Sequence, residues 1–442
     1  MRSKPLENSA FIFANRRIAV PKLFIATVGT GLNNRDVATA ILKSIQHQNP
    51  DFVALIASGE TAQGTAQLIV KGLEEQNRKH EVHVLQDEND LETVIEDIRG
   101  IIQKYFNAGC KAEDTVVDYT SGTKAMSAGL VIAAMQCHIG AVVYITGKRG
   151  EGGRVVAGTE RFNCFEPNKT YAEELFREAV AAVNKYRFDA ATELLQKART
   201  MYHHQGFLGK VNLLETMAAF YGAWDRFELE KATEAASTLS RIDRSEEIMK
   251  DWRILQKVKR NKESVFQEHR NKFSALRAVD LLANAQRRFS EGKYDDGVAR
   301  LYRLIEFIAQ YYGAERGIYK TLRDGSPDTE HIDLQKLPEQ LREHVKESSA
   351  LVQTLKLLSD LGHADATTLY QDISDSEKGK LKELLHVRNN SILAHGFKPI
   401  GKERAGQMLE SVRKHVETLC RRERRKLEDL MNDVSFPYMQ VD

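Results

Sequence analysis

Residues 114–146, DTVVDYTSGTKAMSAGLVIAAMQCHIGAVVYIT, decide the fold of the first part of the chain. A β-branched run, DTVVDY, leads into a loop of small residues, and a helix-like segment then feeds a second apolar run, AVVYIT. Strands that are apolar nearly throughout, each followed by a helix, indicate a parallel sheet covered on both faces. The stretch therefore predicts a buried β–α–β unit, and the histidine within its apolar part disfavours a membrane span.

The same alternation of strands and helices extends upstream to residue 22. Apolar runs KLFIATV, DFVALIA and HEVHVL alternate with segments 34–48 and 90–106, whose apolar residues recur at helical spacing. We predict an α/β Rossmann-like domain over residues 20–166 that ends in a glycine-rich hairpin, GKRGEGGRVVAGTERF.

Past Pro167 alanine, leucine, glutamate and lysine dominate, and we predict an all-α C-terminal half. Residues 176–198 and 282–306 each predict two helices joined by a short turn. The segments RDGSPDTEHIDLQKLP and LGHADATTLYQDISDSEK are predicted as loops. We divide this half into a helical connecting region, 167–273, and a second domain, 274–442.

Composition excludes several classes of protein. The 64 basic and 62 acidic residues nearly balance, so net charge says nothing about nucleic acid. The four cysteines are scattered, which disfavours a disulfide scaffold or a zinc module. The N-terminus lacks the apolar core of a signal peptide, and we expect a cytoplasmic protein that does not enter a membrane.

Three predicted strands end in small, hydroxyl-rich loops, at residues 27–31, 57–61 and 119–124. In a parallel sheet these ends share one edge, where ligands bind. Glycine lets the backbone approach a phosphate, helix N-termini and hydroxyls attract anions, and Lys124 adds a positive charge. The loops lack the Walker A spacing and the full dinucleotide fingerprint, which disfavours an ordinary ATPase or dehydrogenase. The alternative is that they only turn the chain and cap helices.

A second motif lies in KLKELLHVRNNSILAHGFKP, residues 380–399. The pattern predicts a helix from Glu377 to His395, where Gly396 would end it. Arg388 and His395 would then share one helix face, roughly 10 Å apart along the axis.

Such a pair suits metal-free RNA cleavage, in which a ribose 2′-hydroxyl attacks the adjacent phosphate and leaves a 2′,3′-cyclic end. Histidine transfers protons near neutrality, and arginine stabilises the added phosphate charge. A helix C-terminus near His395 would favour its protonated form. Because the chain has 13 histidines and many arginines, this spacing is expected about once by chance.

These motifs resemble those of two known protein families. The loops TVGTG and DYTSGTKAMSAGL resemble the CARF domains of type III CRISPR accessory proteins, which dimerise and bind cyclic oligoadenylate. The stretch RNNSILAHG resembles the Arg-(four to six residues)-His motif of HEPN ribonucleases, and RRFSEGKYDDGVARLYRLIE resembles the opening helices of their domain. The resemblance leaves residues 171–272 poorly covered.

The resemblance implies a homodimer whose allosteric activator is cyclic oligoadenylate and whose substrate is single-stranded RNA, with no metal, cofactor or DNA. It implies that the residues lining the activator pocket are Gly29, Thr30, Ser58, Ser121, Gly122, Thr123 and Lys124. It further implies that Arg388 stabilises the phosphate, Asn389 positions it and His395 transfers the proton, with two copies meeting at the dimer interface. The spacing of six residues between Arg388 and His395 is at the upper end of the four to six residues found in that motif.

Two alternative functions remain open at this point. One is a non-catalytic nucleotide sensor or scaffold; the other is an N-terminal domain that cuts its own cyclic ligand. Among the weaker clusters, we interpret the basic run 421–426 as a solvated helix face that could also contact RNA. We interpret His203, His204 and His363 as surface or loop residues.

Overall fold

The computed structural model describes residues 22–30, 34–148, 159–241, 252–375 and 380–440. They form two compact units. The first consists of the chain up to Glu174 together with Ala198–Tyr202, and the second consists of Leu175–Lys197 and the chain from His203 onward.

The first unit is built on a six-stranded sheet. Its strands are β1 Leu23–Val28, β2 Phe52–Ala57, β3 Lys79–Val84, β4 Thr115–Asp118, β5 Ala141–Thr146 and β6 Arg161–Phe165. They lie in the order β3-β2-β1-β4-β5-β6, and β1 to β5 are parallel. The last strand, β6, is antiparallel to β5, as a hairpin requires. The glycine-rich connection between these two strands falls largely outside the described residues.

Helices cover both faces of this sheet, which confirms the predicted Rossmann-like class. They are α1 Asn34–Gln48, α2 Gly59–Gln63, α3 Thr65–Glu75, α4 Leu91–Asn107 and α5 Lys124–Gln136. Alternate residues of β1 enter two different cores: Leu23 and Ile25 pack with α4 and α5, while Phe24 packs with α1 and α3. Burial of both faces explains why these strands are continuously apolar in the sequence.

The rest of the chain is mainly helical, as predicted. Its helices are α6 Pro167–Asn184, α7 Phe188–Met201, α8 Gln205–Asp225, α9 Leu229–Leu239, α10 Trp252–Arg270, α11 Ala275–Ser290, α12 Tyr294–Arg316, α13 Glu339–Arg342, α14 Leu351–Asp360, α15 Ala364–Ser374, α16 Lys380–Asn389, α17 Lys402–Arg422 and α18 Leu427–Val434. The two predicted helical hairpins are present as α6–α7 and α11–α12. Their turns use left-handed residues, Tyr186 in one and Gly292 in the other.

Two predicted loops in this half are wrong. The segment 323–338 contains β8 Pro327–Ile332, which pairs antiparallel with β7 Tyr319–Thr321, so the half is not entirely helical. The strands are short and only their ends are buried, which leaves no alternating pattern to detect. The segment 361–378 contains helix α15, whose start is capped by His363.

The chain's last residues tie the second unit together. After α18, Phe436 packs against the rings of Tyr221 and Trp224 on α8, with centroids 4.7 and 5.1 Å away. The guanidinium carbon of Arg287, on α11, lies 4.1 Å from the centroid of the same Phe436 ring. Beneath it, Asp225 binds Arg287 at 2.7 Å in a buried ion pair. Residues from the predicted connecting region, 167–273, and from the predicted second domain, 274–442, therefore pack together within the second unit.

Candidate functional site

The three loops predicted to bind a ligand follow β2, β1 and β4, which are neighbours in the sheet. The loops after β1 and β4 contact each other directly. The backbone N–H of Gly29 donates to the Ser121 hydroxyl at 2.9 Å, and the Thr27 hydroxyl donates to the Ser121 carbonyl. Thus the structure brings these two loops together at the carboxyl edge, where parallel sheets bind ligands.

Close approach between these loops requires glycine at two positions. A Cβ on Gly29 would lie 2.6 Å from the backbone nitrogen of Gly122. Gly122 itself has a φ of 112°, a conformation that other residues rarely adopt. Both glycines therefore serve the packing of the loops against each other, whatever else they contact.

Two of the predicted ligand residues cap helices. The Ser58 hydroxyl accepts from the Thr61 backbone N–H at 3.2 Å and begins α2, and Ser58 is buried. The Thr123 hydroxyl accepts from the Met126 N–H at 3.1 Å and begins α5. Both hydroxyls therefore cap helices, which is the role that the alternative interpretation of these loops gave them.

The remaining two predicted residues are more accessible. Thr30 is half-buried at the end of the described part of its loop, and Lys124 is exposed as the first residue of α5. A lysine there places a positive charge where the helix dipole is already positive, an arrangement that an anion would stabilise.

Sequence reasoning missed a buried carboxylate at this edge. Asp118, the last residue of β4, is almost fully buried and accepts hydrogen bonds from the Ser44 hydroxyl and from the backbone N–H of Thr120. Burial raises the pKa of this carboxyl, and those hydrogen bonds oppose the rise. The sequence signal that could have identified it is an aspartate at the end of an apolar strand.

In the second unit, the predicted helix over the Arg–His motif is wrong at its end. Helix α16 ends at Asn389, six residues before His395, and the predicted start at Glu377 lies outside the described residues. Asparagine side chains compete for backbone groups, and the Asn390 amide donates to the His386 carbonyl at 2.9 Å. Arg388 and His395 are therefore not on one helix face, and no helix C-terminus lies at His395.

Instead, the chain folds back after α16 in a compact turn. The His395 backbone N–H donates to the Asn389 carbonyl at 3.1 Å, and the Lys398 N–H donates to the Asn390 carbonyl at 3.0 Å. A Cβ on Gly396 would overlap the Asn390 carbonyl oxygen, so only glycine allows this closure. The turn places the backbone of His395 beside the residue that follows Arg388.

Arg388 is held mainly by an aromatic ring. Its guanidinium carbon lies 4.1 Å from the ring centroid of Tyr302 on α12, and its Nη1 donates to the Asn389 side chain at 3.0 Å. Its Nε is buried and has no hydrogen-bond partner among the described residues. Tyr302 lies on a helix that is far from Arg388 in the sequence, and no sequence signal could have found it.

The turn also exposes large apolar side chains. Ile392, Leu393 and Phe397 are 64%, 49% and 90% exposed. His395 lies among them and is exposed as well. Apolar side chains gathered on one short turn are typical of a surface that another molecule covers.

The weaker predicted clusters have mixed outcomes. Within the basic run, Arg422 is paired with Glu315 and Asp365 at 2.8 and 2.6 Å. His363 lies in the loop before α15, as one of the two interpretations has it, but it is not a surface residue: it is buried, and its Nδ1 accepts from the Ala366 N–H at 3.1 Å. His203 and His204 lie exposed between α7 and α8.

Across the described ranges, no group of three or more histidine, cysteine, aspartate or glutamate side chains is arranged to hold a metal ion. No helix in the same ranges is long and apolar enough to span a membrane.

Comparison with family models gives two matches. Residues 266–423 match the model described as "Csm6 HEPN domain", and this range includes the Arg388–His395 turn and Tyr302. Residues 36–148 match the model described as "HFX_2341_N:-like, N-terminal". No curated protein matches the chain.

Among solved structures, Enterococcus italicus Csm6 bound to cyclic hexa-2′-fluoro-hexa-dAMP aligns over 94% of this chain and 97% of that one. The TM-score is 0.57 at 14% identity, so the two chains share a fold. A type III CRISPR defence DNA nuclease activated by cyclic oligoadenylate aligns over 50% of this chain and 37% of that one. Its TM-score of 0.25, at 13% identity, is too low to support a common fold.

Proposed function

We propose that the chain is a CARF–HEPN protein of the type III CRISPR kind and that it is a ribonuclease switched on by cyclic oligoadenylate. Residues 266–423 match the Csm6 HEPN model and the whole chain shares the fold of a Csm6 structure, which supports the proposal. The proposed substrate is single-stranded RNA. The proposed chemistry needs no metal ion, since an arginine and a histidine supply the charge and the proton transfer.

The observation that carries the proposal is the turn after α16. It returns His395 to the Asn389 carbonyl, so the arginine, the asparagine and the histidine of the motif come from one compact segment. His395 is exposed on this turn, and among the described residues no carboxylate forms an ion pair with Arg388. Both features suit a site that binds a phosphate.

In the proposed reaction, the 2′-oxygen of a ribose forms a bond to the adjacent phosphorus while the bond to the 5′-oxygen breaks. His395 of one copy takes the 2′-hydroxyl proton, and a second His395 gives a proton to the leaving 5′-oxygen. Arg388 stabilises the extra negative charge on the phosphate, and Asn389 helps to orient it. The products are a 2′,3′-cyclic phosphate and a 5′-hydroxyl.

The need for two histidines leads to a dimer. A single His395 would have to be both base and acid on opposite sides of the phosphorus. The exposed side chains of Ile392, Leu393 and Phe397 beside it suit an apolar contact with a second copy of the chain, which would bring a second motif to the same place. We therefore propose that the active form is a homodimer.

The proposed activator site is the carboxyl edge of the sheet. The joined loops at Gly29 and Ser121 expose backbone and small side chains there, and Lys124 adds its charge to the N-terminus of α5. These features suit the repeated phosphates of a cyclic oligoadenylate. Gly122, Thr30, Thr123 and Ser58 belong to the same three loops.

The test is cleavage of a fluorescent single-stranded RNA in EDTA, with no activator, cyclic tetra-adenylate or cyclic hexa-adenylate. We expect one ring to switch on cutting, and we expect His395→Ala to lose at least about 100-fold in rate, because general acid–base catalysis contributes about 10²–10⁴-fold. The 5′-hydroxyl and cyclic phosphate ends are identified by mass spectrometry.

Three results would count against the proposal in different ways. Binding of a ring without any cutting would favour the non-catalytic sensor. Cutting that EDTA abolishes would contradict the metal-free chemistry. Shortening of the ring itself, without RNA cleavage, would favour a domain that degrades its own ligand.

A further inference from the structure

We propose that Tyr302 is a positioning residue for Arg388: its ring holds the guanidinium in place for the phosphate while leaving the positive charge intact. This inference rests on the proposed ribonuclease function, and it adds a residue that the Arg–His motif does not contain. Tyr302 does not touch the reacting atoms in the proposed mechanism, and it acts only through the arginine.

The contact between the two side chains is close. The guanidinium carbon of Arg388 lies 4.1 Å from the Tyr302 ring centroid, well inside the limit of about 6 Å for a cation–π contact. Both side chains are half-buried, so water screens the attraction only partly. Stacking also restricts the long arginine side chain, which has many conformations when it is free.

The other contacts of Arg388 are too weak to fix it by themselves. Its Nη1 donates to the adjacent Asn389 side chain, which is itself exposed. Its buried Nε has no hydrogen-bond partner in the described part of the chain. A carboxylate in this position would orient the guanidinium but would also neutralise it. A ring orients it and leaves the charge available for a phosphate.

Tyr302 is itself well anchored. It lies on α12, between the fully buried residues Leu301 and Leu304, and α16 packs against this helix. Glu306 lies one turn further along the same helix. Burial and this carboxylate raise the pKa of the phenol, which stays neutral. The ring is therefore a rigid support.

The chain offers a matched control on the same helix. Tyr311 is also half-buried on α12, and burial together with a different carboxylate, Glu423, raises the pKa of its phenol. Tyr302→Leu removes the ring beside Arg388, Tyr302→Phe keeps the ring and removes only the hydroxyl, and Tyr311→Leu makes the same change elsewhere on the helix.

We expect Tyr302→Leu to lower kcat for RNA cleavage by about 10- to 100-fold with little change in KM, because a small misplacement of a catalytic group costs up to about 10² in rate. Tyr302→Phe should keep most of the activity, and Tyr311→Leu should match the wild type. In an Arg388→Ala background, Tyr302→Leu should add no further loss, since the residue acts through the arginine. Equal losses in the Leu and Phe variants, or full activity of Tyr302→Leu, would overturn the proposal.

A second readout does not depend on activity. The Nε–H proton of Arg388 lies near the Tyr302 ring, so its NMR resonance should be shifted upfield by the ring current, and it is assigned by its loss in Arg388→Lys. The shift should disappear in Tyr302→Leu and persist in Tyr302→Phe. If the wild type cuts no RNA, the proposed function fails, while this resonance still decides whether Tyr302 holds Arg388; an unshifted resonance refutes the contact.

Discussion

Gly396 shows how one residue decides the geometry of the motif. The turn from Asn389 to Lys398 closes because the carbonyl oxygen of Asn390 occupies the space where a Cβ on residue 396 would lie. Backbone atoms cannot move aside as a flexible side chain can. The position of His395, one residue earlier, is therefore set by the absence of a side chain on its neighbour.

We predict that Gly396→Ala opens the turn and lowers RNA cleavage by at least about tenfold, because displaced catalytic groups lose rate steeply. The thermal midpoint should change little, since this turn is at the surface. Gly401→Ala is the control: a Cβ there meets no atom within 4 Å, and its backbone suits alanine. Activity of Gly396→Ala equal to that of Gly401→Ala would contradict the prediction.

At the scale of elements, the segment after α18 connects parts of the second unit that are far apart in sequence. Phe436 packs on Tyr221 and Trp224 of α8 and under the guanidinium of Arg287 of α11. The backbone N–H of Met439 donates to the Asn184 side chain at 2.9 Å, which adds α6 to the same contact. The segment thus acts as a strap across three helices.

We predict that Phe436→Ala lowers the free energy of unfolding by about 2 kcal/mol, somewhat below the ~3–5 kcal/mol typical of a fully buried phenylalanine. Urea unfolding followed by tryptophan fluorescence measures this, because Trp224 touches the ring. Tyr438→Ala, on the same segment but 71% exposed, should leave the midpoint unchanged. Indistinguishable midpoints for the two variants would show that the strap contributes no stability.

At the scale of the whole molecule, the proposed activity depends on a second copy. A lone motif supplies one histidine, and the apolar side chains beside it lie open to solvent. We predict that Phe397→Asp raises the dissociation constant of the dimer at least about tenfold, since burying an unpaired charge in an apolar contact costs several kcal/mol. Cleavage should fall in parallel with the dimer fraction in sedimentation equilibrium.

Val352→Asp is the control for this prediction, because Val352 is another exposed apolar residue, on α14 and away from the turn in sequence. It should leave both the dimer and the activity unchanged. A Phe397→Asp protein that dimerises like the wild type would place the dimer contact elsewhere on the chain.

Local pattern was enough to predict much of this protein. The five runs predicted as strands between residues 22 and 146 became five parallel strands. The central ones, such as β1 and β2, are apolar throughout because both of their faces are buried, whereas the edge strand β3 is only half-buried and carries polar residues. The boundary of the helical half near Pro167 and the two helical hairpins followed from composition and turn residues. The motif residues Arg388, Asn389 and His395 were visible as a sequence, and their roles stay a proposal.

Only the tertiary structure decided where those residues lie. The helical pattern predicted α16 through to His395, but the chain turns back because the carbonyls of Asn389 and Asn390 accept hydrogen bonds from the backbone N–H groups of His395 and Lys398. The strand β8 depends on pairing with β7, and the support of Arg388 depends on Tyr302 on α12, which is separated from α16 by three other α-helices. Such contacts join residues with no local relation, so local pattern indicates most of the elements, while tertiary packing decides strand β8, the end of α16 and the site.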